Sequence, residues 1–267
     1  MSKDTITKKQ HFVPQFYLKN FITNKNLFVF DRQKNSSFEC SPKDICYKNY
    51  LYESEWQKFN PKLGKFISPN EIEKNFSSEE REYNRILKNI ISRCLNLSNK
   101  NLPICDNNES KILAEFVTNM LVRNPWTLQE ANIDSISSDL MKNPEIITID
   151  KLLKEIGLGN IEPLIKATNK YIWLDNKKII GNVPTEITNK LLMLNYSILS
   201  AETPSFVTSS FPIIFELYDG TDGITYFRNL YIPIHPKLAL LYNNIKGFSI
   251  YKNRIVPISN DKVSFFN

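Results

Sequence analysis

Two apolar stripes at helical spacing limit what this chain can fold into. Ile72, Phe76, Tyr83, Leu87, Ile90 and Cys94 recur at three- and four-residue steps behind a Ser68-Pro69 opening. Ile112, Leu113, Phe116, Val117, Met120 and Leu121 form a second stripe between Asn108 and Arg123. Asn124-Pro125 ends that helix, because a residue before proline disfavours the α region. In the last third of the chain the texture changes. Short β-rich runs follow there at Tyr196 to Leu199, Phe206 to Thr208, Pro212 to Leu217, Phe227 to Ile234, Leu238 to Tyr242 and Phe248 to Ile258. The spacing of their Pro and Gly turns predicts an antiparallel sheet. The expected class is α+β, a single domain over 1–267, with a central helical bundle over 69–194 and the C-terminal sheet over 195–267.

The front of the chain, 1–60, reads as an N-terminal short helix, a β-hairpin and an aromatic loop. Met1 to Lys9 is polar and expected to fray. Pro14 suits a helix start, and Tyr17, Leu18 and Phe21 then share one buried stripe. Leu27 to Phe30 and Ser37 to Cys40 flank the polar run Asp31 to Asn35, a hairpin pattern. Ser41 to Pro61 looks irregular and carries Tyr47, Tyr50, Tyr52, Trp56 and Phe59, rings suited to packing under a loop or to stacking on bases. Asn132 to Trp173 predicts two or three more helices, and Pro184 starts another that runs to about Leu194.

Composition removes several functional classes. Seven glycines form no Gly-rich loop, which argues against a Walker or dinucleotide fingerprint. The net charge of +6 permits nucleic-acid contact without the density of a dedicated basic domain. Cys40, Cys46, Cys94 and Cys105 make no CxxC pair and have only His11 and His235 to join them, so no metal ligand set is assigned. A signal peptide is missing, as is an apolar run near the ~20 residues of a membrane helix. The expectation is a reduced cytoplasmic protein with no membrane partner.

The polar candidates are few. His11 precedes the opening helix, at what would be its positive end. Glu80 falls on the apolar stripe between Phe76 and Tyr83, either as a paired carboxylate or as the end of a Ser77-Ser78-Glu79-Glu80 capping box that starts a second helix. Glu115, Asn119 and Arg123 line one helix edge at four-residue steps, and a helix C-terminus favours the arginine's charge in any case.

His11-x-x-Pro14-x-x-Tyr17-Leu18-x-x-Phe21 resembles the signature of the bacterial domain-of-unknown-function family numbered 4238. Leu27 to Arg32 is similar to a strand of that family, Tyr50-Leu51-Tyr52 to its Asn-Phe-Tyr element, and Glu73 with Glu80 to its glutamates seven apart. Arg123-Asn124-Pro125 resembles its Arg-Thr-Pro helix end. Phe206 to Pro212 resembles its Phe-Ile-Thr-Ser-Asp-Asn-Pro turn, and Ile232-Pro233-Ile234-His235-Pro236 the strand after it. Ser210 stands where the family has an acidic residue, and Met120 where it has glutamine.

The resemblance implies no activity, so function rests on the polar set. His11, Glu80 and Arg123 are the catalytic candidates, with Gln15, Tyr17, Asn119, Ser209 and Ser210 as substrate-binding candidates. A neutral histidine as base and an arginine on phosphate suit phosphodiester cleavage, with or without a divalent metal. That reading is a nucleic-acid-directed nuclease, acting as a toxin or phage-defence effector. The same residues suit a buried His/Glu/Arg network in a non-enzymatic interaction or sensor module with a partner protein. The residues alone leave both open.

Overall fold

The computed structural model describes residues 6–53, 70–96, 102–130, 139–155, 161–162, 165–166, 174, 183–219, 225–244 and 251–263. Strands and helices combine as an α+β chain: N-terminal hairpins, central helices and a C-terminal five-stranded sheet. The chain forms two compact units, each assembled from three separated stretches. The first holds Met1–Phe12, Tyr47–Glu79 and Val122–Glu186, and the second Val13–Cys46, Glu80–Leu121 and Ile187–Asn267.

In the first unit, β1 (Lys9–His11) pairs antiparallel with β4 (Tyr47–Asn49), His11 opposite Tyr47 and Lys9 opposite Asn49. Three-residue strands carry no readable period, which is why the sequence suggested only a frayed tail and an irregular loop. His11 therefore lies in a β-ladder. The expected helix-terminus environment does not form, since the helix Gln15–Leu18 is a single turn of four residues with little summed dipole. Asn124 accepts the Trp126 N–H at 3.0 Å and caps the helix Pro125–Glu130, so Asn124-Pro125 begins one helix just after Asn107–Val122 ends. In the helix Pro144–Glu155 the buried Asp150 accepts the Ile161 N–H at 2.9 Å and Lys154 at 2.6 Å.

The second unit begins with the opening helix. Tyr17 and Leu18 are buried and Phe21 half-buried. The Tyr17 ring packs on Phe21 at 5.5 Å and on Phe116 at 6.0 Å. The expected hairpin forms from β2 (Leu27–Asp31) and β3 (Ser36–Cys40), with Val29 opposite Phe38. The helix Glu71–Asn96 is continuous, so residues 77–80 start no second helix, and the Ser78 hydroxyl donates back to the Asn75 carbonyl. Asp106 caps the helix Asn107–Val122 in a reciprocal box: it accepts the Glu109 N–H at 2.8 Å, and Glu109 accepts the Asp106 N–H at 3.1 Å. Arg93 grips the same carboxylate with two bonds of 2.9 Å.

The sheet runs in the order β6 (Ile214–Asp219), β7 (Thr225–His235), β8 (Leu238–Asn243), β5 (Asn195–Ala201) and β9 (Ile255–Ile258). Its pairs are antiparallel except β5 with β9. One face buries Tyr196, Ile198, Leu230, Ile232, Leu240 and Tyr242, and the Tyr196 hydroxyl lies 2.5 Å from that of Ser110. The other face packs Leu199, Tyr231 and Leu241 with Phe206 and Val263. Phe206 to Thr208 forms no strand, contrary to expectation. The Ser205 and Phe206 N–H groups both bond Pro236 O at the β7–β8 corner, a converging geometry unlike the regular bonds of a ladder. Of the predicted Phe248 to Ile258 strand, Ile255–Ile258 is strand, while 248–250 lie outside the described residues, as do Trp56 and Phe59. The same is true of most of Asn132 to Trp173.

Candidate functional site

The two strongest sequence candidates meet in the first unit. Arg123 is 1 % exposed, placed there by the Asn124-Pro125 junction that stops the preceding helix. Its Nη2 donates to the main-chain carbonyl of His11, and its Nε donates to the Tyr52 hydroxyl at 3.2 Å. Tyr52 in turn donates to the same His11 carbonyl at 3.0 Å. Below the guanidinium lies Phe76, its ring centroid 4.6 Å from Cζ, and Tyr52 meets that ring edge-on at 5.0 Å. The His11 imidazole packs against Tyr47, tilted, with ring centroids 5.6 Å apart. The arginine thus grips the histidine's backbone while the imidazole packs on a ring.

Gln10 extends this network. It is fully buried, accepts the Tyr52 N–H at 2.6 Å and donates to Glu53 at 2.8 Å, so a side chain extends the β-pairing where the ribbon ends. Sequence reasoning missed Tyr52 and Phe76 as partners of Arg123, and Gln10 as a partner of Tyr52. The signal available was weak: Tyr52 stood in an aromatic loop, and one glutamine beside a histidine carries no pattern.

The remaining candidates belong to the second unit. Tyr17 donates to the Pro233 carbonyl at 2.5 Å, so the Thr208 hydroxyl, 2.8 Å away, must donate to the phenol oxygen. Burial pushes the Tyr17 phenol well above its ordinary range, which keeps it neutral. Ser209 closes a turn, donating to Phe211 O at 2.6 Å and accepting the Phe211 N–H at 3.2 Å. Ser210 is exposed, Gln15 half-buried, Asn119 buried and Glu80 half-buried. Met120, the other departure from the family pattern, is buried. On the long helix the buried carboxylate is Glu79, 7 % exposed. Both Glu79 and Glu80 fit a stripe of three- and four-residue steps between Phe76 and Tyr83, and the three-residue step carries the buried side chain.

His235 is half-buried at the end of β7, and burial lowers its basicity, with Lys237 adding to the effect. Its Nδ1 accepts the Lys237 N–H at 3.1 Å, so the neutral ring carries its proton on Nε2 and presents a donor. Among the described residues, no group of three His, Cys, Asp or Glu side chains is placed to hold a metal ion.

A family model described as Protein of unknown function (DUF4238) matches residues 9–267. The chain belongs to that family. The match begins at β1 and takes in both units, so the Arg123 network and the Tyr17–Thr208–Pro233 contact both lie within the DUF4238 region. No curated protein and no solved structure matches the chain. No helix among the described residues of this DUF4238 protein is long and apolar enough to cross a membrane.

Proposed function

We propose that the protein is a non-enzymatic interaction or sensor module, in which Arg123, Tyr52 and the backbone of His11 hold the first unit together. The observation that supports this reading is the burial of Arg123 against its own chain. A phosphate-clamping arginine presents its fork to an incoming oxyanion. Here Nη2 and Nε reach a carbonyl and a hydroxyl of the protein, and the guanidinium is flanked by Phe76. The His11 carbonyl is fixed by the same two partners, so its position depends on them rather than on a substrate.

Incubation with mixed single- and double-stranded RNA and DNA, with and without Mg²⁺ or Mn²⁺, tests the reading. The expected result is intact substrate under every condition. Cleavage that His11→Ala abolishes, at unchanged thermal stability, would establish the phosphodiesterase reading instead.

A further inference from the structure

We propose that His235 is a pH-sensitive latch on the corner between β7 and β8: on protonation its imidazole releases the Lys237 N–H and loosens the 201–208 segment that this corner holds. Every residue involved belongs to the second unit, apart from the Arg123 network.

The corner is a tight one that the backbone alone does not favour. His235 faces Leu238 in the final pair of the β7–β8 ladder, so Pro236 and Lys237 alone make the connection. Two-residue hairpin connections are normally type I′ or II′, whose positive φ suits the twist of the strands. Neither Pro236 nor Lys237 has a positive φ. Proline at the second position suits a type I turn instead, which splays its strands. Such turns are commonly secured by an Asp, Asn or Ser side chain at the first position, which accepts the N–H two residues on. Here the imidazole does so, Nδ1 accepting the Lys237 N–H at 3.1 Å. Among the described residues that N–H has no other acceptor.

Both turn carbonyls hold the neighbouring segment. Pro236 O accepts the Ser205 and Phe206 N–H groups at 2.8 and 2.9 Å, and Lys237 O accepts the Ala201 N–H at 2.9 Å. Two residues beyond Phe206, the Thr208 hydroxyl meets that of Tyr17. A shift of the turn is therefore felt along 201–208 and at the Tyr17 contact.

A proton taken from solvent onto Nδ1 turns the acceptor into a donor and sets it against the Lys237 N–H. It also places a positive charge on a half-buried ring. Burial, and then the charge of Lys237, oppose that step. Glu202 lies on the held segment, Asp261 and Lys262 on the helix Asn260–Val263 that Ser205 reaches, and Lys19 on the short helix Lys19–Phe21 against β7. β5 and β8 carry no charged residue. Among the described residues no carboxylate forms a hydrogen bond or ion pair with His235, so none is in place to hold the imidazolium. The lowered folded value means that the corner is held fully above about pH 6.5, the unfolded value, and progressively less as pH falls toward the folded one.

Hydrogen exchange of the whole chain at pH 7.5 and 5.0, expressed as protection factors so that the intrinsic pH dependence cancels, tests the latch. Peptides covering 201–208 and 235–238 should lose protection about threefold or more in the wild type, with the helix Asn107–Val122 as internal reference. The loss should follow protonation of His235 itself, read from its ring proton signal, which the His235→Asn spectrum identifies among two histidines. His235→Asn keeps an acceptor suited to this turn and does not titrate, so its protection should be the same at both pH values. His235→Ala, with no acceptor, should be as loose at pH 7.5 as the wild type is at pH 5.0. Wild-type protection that does not change, or an Asn variant that loosens as much as the wild type, overturns the latch. So does a His235→Ala variant as protected at pH 7.5 as the wild type.

Discussion

The Arg123 guanidinium meets the main-chain carbonyl of His11, and the His11 imidazole packs on Tyr47. A backbone carbonyl survives substitution of its side chain. His11→Ala should therefore cost about 1 kcal/mol, the loss of partial ring packing. Arg123→Met should cost roughly 3 kcal/mol, because the carbonyl and the Tyr52 hydroxyl each lose a buried donor. Urea denaturation of the two variants checks the order, and a His11→Ala loss as large as that of Arg123→Met would assign the imbalance to the imidazole.

Tyr17 joins the opening helix to the sheet through one hydroxyl. Tyr17→Phe keeps the ring on Phe116 and Phe21 but leaves the Pro233 carbonyl and Thr208 without that partner. The expected cost is about 1–2 kcal/mol. An unchanged melting temperature would mean that water replaces the phenol there.

Asn253 stands at a φ of 57° while its Oδ1 accepts the Ile104 and Cys105 N–H groups at 3.0 and 2.8 Å, and its Nδ2 donates to Cys105 O. Asn253→Gly removes the bonds and tolerates the angle, whereas Asn253→Ala removes the bonds and adds strain. Alanine should be the worse of the two by roughly 1 kcal/mol, measured by thermal unfolding. Equal losses would place the whole effect in the hydrogen bonds.

Glu109 gives the stability a pH dependence of known sign. The Arg93 guanidinium, bonded to both oxygens, holds its carboxyl below the usual carboxylate range against the opposing effect of burial, and the Asp106 N–H helps. A depressed folded-state pKa means the stabilisation is complete above the unfolded value of about 4.3. It is lost as pH falls through the lower, folded value. Between pH 5 and 3 the wild type should lose stability more steeply than Glu109→Gln, whose amide does not titrate. Parallel curves would remove the pair from the acid response.

Long-period features were legible in the sequence, and short-range accidents were not. The hairpin around Asp31 to Asn35, the two amphipathic helices and the sheet announced themselves by repetition over many residues. The β1–β4 ribbon did not, since its strands are three residues long and pair residues as far apart in sequence as Gln10 and Lys48. Glu79 and Glu80 were indistinguishable because helical spacing alternates between three and four. Arg123 was expected at a helix end, and it directly follows the helix Asn107–Val122, but two of its partners, a backbone carbonyl and Tyr52, carry no sequence signal of pairing.

The central claim is that Arg123 and Tyr52 act as one brace on the His11 carbonyl. A double-mutant cycle on Tyr52→Phe and Arg123→Met, measured by urea denaturation, tests it most directly. Coupled residues should show an interaction of about 1–2 kcal/mol, the double variant losing less than the two single losses combined. Losses that add within about 0.3 kcal/mol would contradict the brace.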